Sequence, residues 1–119
     1  MEEIVRELTE AYGPSGAEGK VRKLIAERIA PYVDDQRVDA LGNLIAFKRA
    51  SAPPAAGRLM LAAHMDEIGL IVSYIDEKGF LRFHAVGGVF PLTLLGGRVI
   101  FENGSIGVIG IEERWQEDK

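Results

Sequence analysis

Cysteine is absent from this 119-residue chain. That excludes disulfides and thiolate metal ligands and fits a reducing compartment. No concentrated basic patch interrupts a net charge of −4, so no nucleic acid partner is expected. No apolar run approaches the length needed to span a bilayer, so no membrane partner is expected either. Glu2 and Glu3 follow Met1 directly, which is unlike a secretory leader, and the expected location is cytoplasmic. Internal repeats and low-complexity segments are also missing. What remains is a chain that is 47% hydrophobic and 27% charged, the balance of a soluble globular protein long enough for one ordinary domain with a modest core.

The first third reads as helical. Ile4, Val5, Leu8 and Tyr12 recur on one face with charged residues between them. Gly13-Pro14-Ser15-Gly16 breaks the pattern and is a turn between helices. A phosphate cradle would need a strand before it and suitable residues after it, and both are missing. Ser15 and Glu18 have the spacing of a capping box opening a second helix, which should bury Val21, Leu24, Ile25 and Ile29 and end near Pro31.

After Val33 the pattern changes to strands. Asp35 to Asp39 and Asn43 to Lys48 flank a tight connection that uses Gly42 and Asn43. Ala50 to Gly57 reads as a surface loop. Ile68 to Ile75 should pair with Phe80 to Val86 across Asp76-Glu77-Lys78-Gly79, and Arg98 to Phe101 with Ser105 to Ile111 across Glu102-Asn103-Gly104. Gly87-Gly88 and Gly96-Gly97 read as backbone bends. The character therefore changes near Gly69, from helices and strands suited to a layered α/β domain to short, closely spaced strands of the kind found in small β sandwiches or barrels.

Chemistry concentrates at Leu59-Met60-Leu61-Ala62-Ala63-His64-Met65-Asp66-Glu67-Ile68-Gly69. Leu59 to Ala63 has the length and composition of a fully buried strand. In open α/β sheets, ligands and metals are held at the carboxyl end of such a strand. The His-x-Asp spacing puts His64 and Asp66 on the same side of an extended backbone. His64 can then ligate a metal through one ring nitrogen while Asp66 orients the other. The competing reading is a hydrogen-bonded structural histidine, and nothing else in the chain completes a set of three ligands. Alternation turns Glu67 away from that side, which removes it as a general base. His84, on a strand face with Phe80 and Arg82, reads as a surface or packing residue.

Ala62 to Val72 resembles the motif of the co-catalytic metallo-aminopeptidases of the tetrahedral and glutamyl aminopeptidase family, some members of which carry an endoglucanase label. Leu8 to Gly16, Asp39 to Ala46, Gly79 to Phe83 with Val86 to Val89, and Gly107 to Gly110 follow the family's landmarks in order. The similarity covers nearly the whole chain, which looks like the first third of a family member. It implies the N-terminal part of a layered α/β metallopeptidase domain over residues 1–68. Residues 69–111 would begin an inserted β-rich assembly domain, and 112–119, including Trp115, would form a charged tail.

The resemblance further implies that His64 is a metal ligand and that Asp66 is the catalytic-site carboxylate orienting it. Two divalent ions, zinc or cobalt, are implied for the complete protein, with peptides as substrates and a homo-oligomeric assembly. The other ligands and the general-base Glu have no counterpart in these 119 residues. The chain by itself is therefore expected to hydrolyse no peptide. The alternative is a non-catalytic binding or assembly module.

Overall fold

The computed structural model describes residues 1–51 and 57–111. Most of the Ala50–Gly57 loop and the whole of the 112–119 tail, with Trp115, lie outside the described residues. The architecture is mixed helix and strand, with three two-stranded antiparallel sheets among the described residues, each a hairpin. Compact packing divides the chain into Met1–Gly87 and Gly88–Lys119. The hairpin that begins at Gly69 thus belongs to the same compact unit as the helices.

In the first unit, α1 (Glu2–Glu10) carries Glu2 and Glu3 in its first turn, where negative charge opposes the positive end of the helix dipole. It stops at Ala11, which is extended, just before the Gly-Pro break. The second helix, α2 (Gly19–Ile29), gives way to a 3-10 turn, Ala30–Tyr32, at Pro31, which cannot continue an α-helix. An ion pair between Glu7 and Arg28 ties the two helices together.

The expected burial along α2 is met most fully at Val21, which is 4% exposed and is the one buried apolar residue among those described. Leu24, Ile25 and Ile29 are half-buried. The expected capping box does not form, and α2 has no side-chain cap. Ser15 donates instead to Asp66, and the Glu18 carboxylate accepts from the Gly16 N–H at 2.7 Å. That backbone hydrogen bond, the main cause, holds the Glu18 carboxyl below its ordinary value.

The first hairpin joins β1 (Asp35–Val38) to β2 (Leu44–Phe47), with Asp35 opposite Phe47 and Val38 opposite Leu44. Gln36 Nε2 donates to the Ala26 carbonyl, and Arg22 Nη1 donates to the Gly42 carbonyl, fastening the hairpin to α2. The second hairpin joins β3 (Gly69–Ile75) to β4 (Leu81–Val86), and its register shifts between Val72 and Tyr74. Both connections have one design. Asp39 Oδ1 accepts from the N–H groups of Leu41 and Asn43, and Asp76 Oδ1 from those of Lys78 and Phe80. Gly42 and Gly79 occupy the left-handed position that follows, where a Cβ would be strained.

The second unit holds β5 (Arg98–Ile100) and β6 (Ile106–Val108). β6 is shorter than the expected Ser105 to Ile111, although Ile109 still exchanges backbone hydrogen bonds with Gly96 and Gly97.

One expectation is overturned. Leu59 to Ala63 is not a buried strand: it has no regular secondary structure, and Leu59, Met60 and Leu61 are each more than 85% exposed. A strand buried on both faces needs ladder partners on either side and covering layers. No described segment pairs with this run, so the layered α/β sheet inferred from it is not formed among the described residues. The β3–β4 hairpin likewise leaves Ile71, Tyr74 and Ile75 well exposed.

Candidate metal site

His64 and Asp66 lie in the extended segment leading into β3. Where that segment meets the turn after α1, Pro14 and Glu67 form a parallel bridge. The Glu67 N–H donates to the Gly13 carbonyl at 2.9 Å, and the Gly13 N–H returns a bond to Glu67 Oε1 at 3.2 Å. Gly69 makes the close approach possible, since a Cβ there would stand 2.8 Å from Pro14 Cβ. The Gly-Pro-Ser-Gly turn is thus more than a connection between helices. It docks onto the segment that carries the candidate ligand.

The period-two spacing brings the two side chains together as expected. His64 Nδ1 lies 3.1 Å from Asp66 Oδ1 and 3.0 Å from the Asp66 carbonyl oxygen. Both neighbours are acceptors, so they favour the tautomer with its proton on Nδ1, leaving the Nε2 lone pair available. The His64 side chain is 86% exposed, so Nε2 is accessible. The Asp66 carboxyl is held below its ordinary value, mainly by the Ser15 hydroxyl, which outweighs desolvation, with a lesser contribution from His64.

The Glu67 carboxylate accepts from the Gly13 N–H through Oε1. His84 sits on β4 opposite Ile71, exposed and away from the His64 pair in sequence and pairing. The spacing of Ser15 to Glu18 predicts a helix cap, whereas the structure places the Ser15 hydroxyl on Asp66. No local pattern links residues 51 positions apart. The docking of the turn reveals the contact.

As a metal site this set fits one ligand with its orienting carboxylate. No group of three or more potential ligands gathers among the described residues. A catalytic metal normally takes three protein ligands.

A sequence profile described as M42 glutamyl aminopeptidase matches residues 42–119. This chain belongs to the M42 glutamyl aminopeptidase family. A lysyl aminopeptidase of Pyrococcus furiosus is 40% identical over 92% of this chain, which covers 32% of that protein. The solved structure of an aminopeptidase from the archaeon Desulfurococcus kamchatkensis superposes with a TM-score of 0.81 at 40% identity. The match covers 98% of this chain and 33% of that one. A dodecameric structure designated PhTET1-12s matches with a TM-score of 0.77 at 38% identity, over 96% of this chain and 34% of its own. The chain thus spans about a third of the length of the M42 relatives it matches. Similarity to these structures extends over the helices and hairpins as well as the His-x-Asp motif.

Proposed function

We propose that this chain contributes one metal ligand, His64, and its orienting carboxylate, Asp66, to a dinuclear aminopeptidase centre that removes N-terminal residues from peptides. The observation carrying this reading is the anchored Nδ1 and open Nε2 of His64, set in a chain that belongs to the M42 family. Divalent cations, zinc or cobalt, would supply Lewis-acid polarisation of the peptide carbonyl when bound. The chain's own part is positional. Asp66 accepts the Nδ1 proton, fixes the ring orientation and raises the basicity of Nε2. The peptide's general base and the remaining ligands must come from residues beyond the described set.

We place the catalytic domain's N-terminal part at residues 1–68, the beginning of an inserted β-rich domain at 69–111 and a charged tail at 112–119. Element order is in keeping with this division: both α-helices precede Gly69, and no α-helix follows it among the described residues. The exposed apolar side chains of β3 and β4, together with the dodecameric relative, support a homo-oligomer. Absence of cysteine supports a cytoplasmic location. Among the described residues, no helix is long and apolar enough to cross a membrane.

The test is hydrolysis of aminoacyl-nitroanilides by the gene product expressed from its own locus. Turnover that is abolished in His64→Ala is the expected result, and unchanged turnover in that variant contradicts the proposal. The isolated 119-residue chain, supplied with zinc or cobalt, should give no turnover. Robust turnover that depends on His64 would show that a complete site assembles from these residues alone.

A further inference from the structure

Ser15 lies in the turn four residues before Gly19, the first residue of α2, and donates its hydroxyl to Asp66 Oδ2. The backbone around it is fixed from both sides. Gly13 exchanges two hydrogen bonds with Glu67, Pro14 rests against Gly69, and the Ala17 N–H closes the turn onto the Pro14 carbonyl at 2.8 Å. Gly16, at φ +89, permits the reversal. The Ser15 hydroxyl is therefore delivered to Asp66 by a docked turn.

An ionised carboxylate only accepts, so the proton between the two side chains comes from serine. With Oδ2 occupied, rotation of the carboxylate is restrained, and Oδ1 remains facing His64 Nδ1 at 3.1 Å. The exposed imidazole makes its hydrogen bonds with the Asp66 side chain and carbonyl. We propose that Ser15 is a positioning residue for the candidate metal site: by anchoring Asp66 Oδ2 it aligns Oδ1 with His64 Nδ1 and so presents Nε2 as the ligating nitrogen. This inference rests on the assignment of His64 as a ligand. Its test uses the metal-free chain, so the positioning can fail while the ligand assignment stands. The assignment itself fails on metal content.

The experiment is nitrogen NMR of the 15N-histidine-labelled chain at a pH where both rings are neutral. The chain contains two histidines, so His84 serves as an internal control. An unrestrained exposed imidazole carries its proton mainly on Nε2, whereas His64 is expected to carry it on Nδ1. In Ser15→Ala the Nδ1–H to Nε2–H ratio at His64 should fall roughly two- to tenfold, the range for losing one modest hydrogen bond. The fall should be partial because the Asp66 carbonyl still accepts from Nδ1. Ser15→Thr keeps the hydroxyl and should restore the native ratio, and His84 should not change in any variant. The proposal is overturned if wild-type His64 is an Nε2–H tautomer or if Ser15→Ala leaves the ratio unchanged. It is also overturned if Ser15→Thr behaves like Ser15→Ala, or if His84 moves together with His64, which would mark Ser15 as a general support of the fold.

Discussion

Gly13→Ala tests the docking of the turn most sharply. An added Cβ would stand 2.7 Å from Val21 Cγ1 and 3.2 Å from Val21 Cβ. Favourable carbon–carbon contacts lie near 3.5–4.0 Å, so roughly 1 Å must be found. Neither side can yield freely. Val21 is buried on α2, and Gly13 is tied to Glu67 through both its N–H and its carbonyl. Overpacking of this kind costs about 1–3 kcal/mol. Val21→Ala alone should cost about 1.5–2.5 kcal/mol, from two lost methyl groups and the space they leave. It also removes the 2.7 Å clash and leaves only the 3.2 Å contact. Gly13→Ala should therefore cost less than about 1 kcal/mol in the Val21→Ala background, a coupling that a double-mutant cycle resolves. Urea unfolding of the four chains, followed by circular dichroism, measures it. Strict additivity, or a Gly13→Ala chain as stable as wild type, would refute the packing argument.

Three further outcomes follow from the geometry. Asp66→Asn should weaken metal binding roughly ten- to hundredfold, measured by titration of the metal-stripped gene product, because the ligand imidazole loses its anionic partner. Asn43, through its side chain first and then its N–H, holds the Asp39 carboxyl below its ordinary value. Its contribution to stability is therefore present above the ordinary carboxylate value and lost as pH falls through the lowered folded value. The stability gap between wild type and Asp39→Asn should narrow on acidification, and a gap independent of pH contradicts this. Ile71, Tyr74 and Ile75 are each 58–60% exposed on one hairpin strand, so light scattering should find dimers or larger species, and a clean monomer over a wide concentration range counts against association.

The hairpins were legible in the sequence because their determinants are local. Asp39 and Gly42, like Asp76 and Gly79, stand three residues apart and close a loop whose hydrogen bonds lie within five residues. The same locality made the His64–Asp66 pair readable, since alternation alone puts both side chains on one side. Leu59 to Ala63 misled because composition reports how a segment would be buried, whereas strand formation depends on a partner that no described segment supplies. Ser15 misled for a related reason. Its spacing to Glu18 satisfies the local rule for a cap, but a distant carboxylate competes for the hydroxyl once the turn docks. Locally decided features could be read, and those decided by non-local contacts could not.

The central claim is that His64 ligates a metal with Asp66 orienting it. Metal analysis of the protein isolated from its native source, beside the His64→Ala variant purified identically, tests it most directly. The account predicts bound divalent metal in the wild type and a clear loss in the variant. Undiminished occupancy in His64→Ala would contradict it.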